Sequence, residues 1–287
     1  MRRILLLIGL FVLFSAFKND KPAYRLFNNK GKKVKYEELV KKALEADVVF
    51  FGESHNNPIA HWMEYELTKS FYETKGAALV LGAEMFERDN QLILNEYLEN
   101  MISEKSFNDE ARLWPNYKTD YKPLVEFAKV NHLPFVATNI PRRYASVVYK
   151  KGLAGLDSLF AESKRYIAPL PIEYDSSLAC YKDMLSMQGL GAHVNPNLPK
   201  AQAVKDATMA YSIAGYADKG KLFFHYNGSY HSDRYQGIIW YLNKYKPGLK
   251  IVTITTVEQD DIESIDEETK RQADFIIVVP QDMTRTY

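Results

Sequence analysis

Short apolar runs along the chain repeatedly stop at a turn residue and then present a side chain capable of chemistry. Asp47-Val48-Val49-Phe50-Phe51 is apolar at consecutive positions, the pattern of a strand buried on both faces, and it ends at Gly52. Asn57-Pro58 then predicts a helix start, with Asn as N-cap and Pro in the first turn; Ile59 to about Thr74 reads as that helix. Ala77–Leu81 is a second strand, followed by Gly82-Ala83-Glu84-Met85-Phe86, and Gln91–Leu98 is helical. Leu133–Thr138 is a third strand, weakened by Pro134, and runs into Asn139-Ile140-Pro141-Arg142. Lys221–Tyr226 is a fourth and runs into Asn227-Gly228-Ser229-Tyr230-His231. Leu249–Val257 and Phe275–Val279 are the fifth and sixth.

Strands separated by helices predict an α/β fold: a mainly parallel central sheet flanked by helices. In such sheets ligands sit beyond the carboxyl ends of the strands. The long stretch between the third and fourth strands has no strand pattern. Leu153–Ser163, Tyr174–Met187 and Ala201–Ala217 read as helices there. A helical insertion over residues 142–218, forming a lid over the strand ends, is therefore expected.

The first residues have a different pattern. Met1-Arg2-Arg3 is basic, and Ile4–Phe14 is apolar but for Gly9. This is the layout of a secretory signal, too short for a comfortable membrane span. The reading is a signal segment over residues 1–16, to about 20 on a later cut, and export to a periplasm or cell envelope. Membrane association through an uncleaved N-terminus stays open, as does a homodimer.

Composition narrows the function. Thirty-seven Lys and Arg against 36 Asp and Glu leave +1, which offers nucleic acid no basic surface. The single Cys, Cys180, excludes an internal disulfide, a Cys-rich zinc site and a lipid anchor near the N-terminus. No GxGxxG, GxxxxGK[ST], GxSxG or HExxH is present. Tyr, at 20 residues, exceeds Phe and Trp together, at 15 and 3.

Candidate chemistry collects at the strand ends. Glu53 and His55 follow the first strand, Glu84 the second and His231 the fourth. Two carboxylates and two imidazoles suit acid/base catalysis or a divalent Mn, Co, Zn or Fe ion, whose bound water would be a hydrolytic nucleophile. These four are the catalytic and metal-ligating candidates. His61 lies one turn into the first helix. Gln202, Asp206, Met209 and Ile213 share one helix face, so Gln202 and Asp206 point inward with apolar neighbours. Asn139, Arg142, His61, Gln202 and Asp206 are the ligand-binding candidates, with Arg142 suited to a substrate carboxylate. Glu87 and Arg88 read as solvated loop charges, and His225 as a packed core histidine.

These motifs together resemble the ChaN family of haem-binding, iron-regulated exported proteins. Its superfamily also holds the Tiki metalloproteases and erythromycin-esterase-like enzymes. The resemblance rests on Gly52-Glu53-Ser54-His55-Asn56-Asn57-Pro58 with His61, Glu84-Met85-Phe86-Glu87-Arg88 with Gln91, Asn139-Ile140-Pro141-Arg142, Gln202 with Asp206 and Met209-Ala210, and Gly228 with His231. It covers roughly residues 35–280, as a single domain. A second His often follows His61 in the family; here Trp62 stands there. The resemblance implies haem as ligand, held through Tyr between the strand ends and the helical insertion. Tyr166, Tyr174, Tyr181 and Tyr211 are candidates by composition. The alternative is a metal-dependent peptidase or esterase using the Glu/His cluster.

Overall fold

The structure, a computed structural model, describes residues 21–187 and 195–287. The proposed signal segment lies outside the described residues. Seven strands form one sheet: β1 (Arg25–Asn28), β2 (Val48–Glu53), β3 (Leu79–Glu87), β4 (Phe135–Asn139), β5 (Leu222–Gly228), β6 (Ile251–Gln259) and β7 (Phe275–Pro280). Their order is β1-β7-β6-β2-β5-β3-β4. All pairs are parallel except β1 with β7. The helices are α1 (Tyr36–Ala43), α2 (Pro58–Lys75), α3 (Gln91–Leu98), α4 (Glu104–Glu110), α5 (Lys122–Val130), α6 (Arg142–Lys151), α7 (Ala161–Lys164), α8 (Ala179–Met187), α9 (Leu198–Ala214) and α10 (Ile238–Tyr245). The fold is α/β.

Successive strand residues feed opposite layers, because side chains alternate across the pleat. Val49, Phe51, Leu81, Phe224 and Tyr226 pack with Met63, Leu67 and Phe71 of α2, Leu94 of α3 and Val125 of α5. Val48, Phe50, Val80, Val136 and Phe223 pack with Val148 of α6, Val204 and Met209 of α9, and Ile238 and Leu242 of α10. α6, α9 and α10 thus supply much of the helical layer on one face, and the first half of α9 also reaches the strand ends.

The central strands follow the sequence reading, with local corrections. β3 continues through Gly82 to Glu87 instead of stopping at Leu81. Gly82 is needed there because a Cβ would lie 2.6 Å from the Phe223 ring. Leu153–Ser163 is not one helix but a 3-10 segment, Leu153–Ser158, followed by the single turn α7. The helix expected from Tyr174 begins at Ala179. Ahead of it, Asp175 Oδ1 accepts from Ser177 N at 2.8 Å, a local turn that competes with helix. β1, four residues long, had no legible pattern of its own.

Candidate functional site

The first cluster grows from the end of β2. Glu53 closes that strand, and its parity places it on the α2 side, with Phe51. Asn57 caps α2, accepting from Ile59 N at 3.0 Å and Ala60 N at 3.2 Å, with Pro58 in the first turn. This cap aims the first turn of α2 back at the strand end, which brings His61 and Glu64 beside Glu53. A π-helical turn, Tyr117–Tyr121, delivers Asp120 and Tyr121 from the other side. Such wide turns recur at functional sites.

Glu53 Oε1 accepts from Tyr121 OH at 2.7 Å and meets His55 Nδ1 at 2.6 Å. Burial alone would raise the Glu53 carboxyl. The His55 hydrogen bond and the neighbouring His61 hold it below its ordinary value. His55 is the most open member, its side chain 36% exposed, and its ring lies edge-on to Trp114. Burial opposes charging of His55, but Glu53 and Glu84 together raise its pKa. His61 Nδ1 lies 3.2 Å from Glu64 Oε2 and 3.4 Å from Glu53 Oε2. Its Nε2 lies 3.1 Å from the His55 carbonyl oxygen and 3.4 Å from Asp120 Oδ2.

The second cluster lies on the opposite side, where the parity of Val80, Gly82 and Glu84 points. Glu84 Oε2 accepts from Gly228 N at 2.9 Å, and Oε1 meets His231 Nε2 at 3.1 Å. His231 Nδ1 bonds Asp206, whose other oxygen accepts from Tyr181 OH at 2.7 Å. Gln202 Nε2 stands 2.8 Å from His231 Nε2. Burial opposes the charge on His231, but Glu84 and Asp206 outweigh it and push its pKa up to about 10. Burial likewise opposes the Glu84 anion, and His231 nevertheless holds that carboxyl well below its usual range.

Gly228 stands between the clusters, paired in register with Glu53. A Cβ on Gly228 would fall 2.7 Å from His55 Nε2 and 3.6 Å from Glu84 Oε2. Glu53, His55, Glu84 and His231 therefore converge on one strand end as two carboxylate–imidazole pairs. The group whose donor atoms all lie within 4.8 Å of one another is instead Glu53, His61 and Glu64, among the described residues.

The other predicted residues divide. Gln202 and Asp206 both reach His231 from α9, and His61 joins Glu53. Asn139 is buried at the end of β4 with Oδ1 unpartnered. Arg142 is exposed at the start of α6, and among the described residues no hydrogen bond joins it to either cluster. His225 is a core histidine, bonded to Thr138 Oγ1 at 2.8 Å and Asn227 Oδ1 at 2.9 Å; burial lowers its pKa to about 4. Glu64, Asn116, Asp120 and Tyr121 carried no sequence signal, although Glu64 follows His61 at the i+3 spacing of one helix face.

Arg88 requires a correction. It is not a solvated charge: Nη1 is buried without a hydrogen-bond partner, burial lowers the guanidinium pKa, and the group lies over Tyr211, 5.5 Å from the ring centre. It lines a cavity of about 550 Å³ along the β4 edge, with Arg165, Tyr166, Tyr211, Tyr216 and Tyr245 in the wall.

Comparison with known proteins places the chain. The profile of the haem-binding uptake family (ChaN, Tiki superfamily) matches residues 39–242. The chain belongs to this family. Among solved structures, ChaN of Campylobacter jejuni, described as binding haem cofacially, superimposes with a TM-score of 0.65 at 18% identity. That likeness covers 89% of this chain and 96% of the other. A Bacillus cereus protein superimposes at 0.52 with 12% identity, covering 90% and 95%. Both likenesses show the ChaN-like fold. The chloroplastic protein RETICULATA-RELATED 5 of Arabidopsis thaliana is 26% identical over 186 residues, 60% of this chain but only 25% of that protein. Among the described residues, no helix of this ChaN-family chain is long and apolar enough to cross a membrane.

Proposed function

We propose that this protein binds haem in the cavity along the β4 edge and works in iron or haem uptake outside the cytoplasm. The observation that carries this reading is the buried, unpartnered Arg88 nitrogen facing a cavity of about 550 Å³ walled by tyrosines. An unpaired buried guanidinium calls for an anionic partner. Haem supplies two propionates, and Arg165 lies in the same wall. Its wide apolar ring suits the tyrosine faces, and a tyrosine phenolate is a known axial ligand of haem iron. Of the four candidate tyrosines, Tyr166 and Tyr211 line this cavity. Tyr181 is set apart by its bond to Asp206, and burial with that carboxylate raises its phenol far above the ordinary value. Membership of the haem-binding uptake family supports the choice of ligand, and the basic start with its apolar run supports export.

The test is titration of the purified protein with ferric haem, followed at the Soret band. A saturable shift with one haem-binding event per chain is expected. Absence of any saturable shift rejects the reading. Cell fractionation of the full-length chain tests export; retention in the cytoplasm rejects that part.

A second reading, hydrolysis of a peptide or ester, is favoured by one observation. His55–Glu53 and the Asp206–His231–Glu84 chain face each other across Gly228, with His55 open to solvent. In this reading His55 is the general base, oriented by Glu53. Turnover of a chromogenic ester or peptide that is lost in His55→Gln would support it; no turnover above a no-protein control across such a panel would reject it.

A further inference from the structure

The structure assigns a site for one divalent transition-metal ion to Glu53, His61 and Glu64, on the α2 side of the sheet and apart from the haem cavity. Each of the three is almost fully buried. Two carboxylates with one imidazole in such a place demand compensation.

Donor accounting shows where that compensation belongs. Both nitrogens of His61 face acceptors. Nε2 faces the His55 carbonyl oxygen and Asp120, while Nδ1 faces Glu53 Oε2 and Glu64 Oε2. A neutral imidazole donates from one nitrogen only. The His55 carbonyl is an obligate acceptor, so Nε2 carries a proton, and in the neutral ring Nδ1 then presents a lone pair to two carboxylate oxygens. That arrangement calls for a positive centre among the three atoms, either a proton or a metal ion. Two further oxygen facts agree. Glu53 Oε1 is already held by His55 and Tyr121, whereas Glu53 Oε2 is buried without a hydrogen-bond partner. Glu64 Oε1 is also buried and unpartnered.

The spacing fits an ion. Metal–ligand bonds of about 2.0–2.2 Å put neighbouring ligand atoms of a tetrahedral site about 3.3–3.6 Å apart. His61 Nδ1 stands 3.4 Å from Glu53 Oε2 and 3.2 Å from Glu64 Oε2. One imidazole and two carboxylates favour Zn(II), Co(II) or Mn(II) over a hard ion that prefers all-oxygen ligands. Asp120 and the His55 carbonyl would serve as acceptors for the His61 Nε2–H, fixing the tautomer that ligates through Nδ1. The ion would tie the first turn of α2 to the end of β2.

The experiment loads the full chain with Zn(II) or Co(II), removes loose metal by dialysis and measures bound metal by mass spectrometry. About one ion per chain is expected for the wild type, and a loss of at least about tenfold in affinity for Glu64→Gln. The double variant Glu84→Gln/His231→Gln should retain the ion. In the wild type, Zn(II) should shift the His61 ring resonances and leave those of His231 unchanged, a readout that needs no variant. No retained metal in the wild type, full retention in Glu64→Gln, or His61 ring resonances unmoved by Zn(II) would each overturn the assignment. The first of those outcomes means a shared proton alone occupies the site.

Discussion

His55 rests against the α-carbon of Gly228: a side-chain carbon added there would lie 2.7 Å from His55 Nε2. That distance is shorter than carbon and nitrogen tolerate, so glycine at 228 is a requirement of the His55 position. Gly228→Ala should displace the His55 ring and cost about 1–3 kcal/mol, the range for overpacking. Gly215→Ala is the contrast. Its φ is already helical, at −70°, and the added carbon meets the Ser212 and Tyr211 carbonyl oxygens at ordinary contact distances, 3.4 and 4.0 Å. That variant should match the wild type or gain about 0.4–1 kcal/mol. Denaturant unfolding of both, with the His55 ring resonance recorded, checks the pair. A fully stable Gly228→Ala with an unmoved His55 resonance would refute the placement.

His231 and His225 should titrate at opposite ends of the scale. His231 is raised to about 10 by Glu84 and Asp206, whereas burial lowers His225 to about 4. An unfolded histidine titrates near about 6.5. The His231 contribution to stability is therefore complete below that value and is lost as pH rises toward 10. The His225 contribution has the other sign: it is present above about 6.5 and is lost as pH falls toward 4, because the unfolded chain takes up a proton that the core refuses. Histidine ring NMR should find His231 charged at pH 8 and His225 neutral at pH 5.5. A His231 midpoint below 7 would contradict the buried Glu84–His231–Asp206 chain.

Tyr181→Phe should cost about 1–3 kcal/mol, because it removes a donor from the buried Asp206 carboxylate. The same variant should leave haem affinity unchanged, since Tyr181 is not in the cavity wall. Unfolding curves and a haem titration on one preparation check both halves.

The strands and their chemistry were legible because each obeys a local rule. Val48–Phe51 is apolar throughout, Asn57-Pro58 is a capping signal, and Gln202 with Asp206 carries a polar pair on an apolar helix stripe. The pairing of Asp206 with His231 then follows from α9 lying on the sheet. What could not be read locally depends on packing between distant segments. Arg88 looks like any loop charge until α9 brings Tyr211 against it. Glu64 and Asp120 look like surface acids until the Asn57 cap turns α2 toward Glu53 and the π-turn brings in Asp120. Glu84, in contrast, announced its need for a partner because a carboxylate among Leu81, Met85 and Phe86 must be compensated.

The central claim is that haem occupies the Arg88 cavity and not the strand-end clusters. It is tested most directly by ferric haem titrations run in parallel on the wild type, Arg88→Ala/Tyr211→Phe and Glu84→Gln/His231→Gln. The account predicts that the cavity variant loses at least about tenfold in affinity, the equivalent of about 1.4 kcal/mol, while the strand-end variant binds like the wild type. Wild-type affinity in the cavity variant, or loss confined to the strand-end variant, would contradict it.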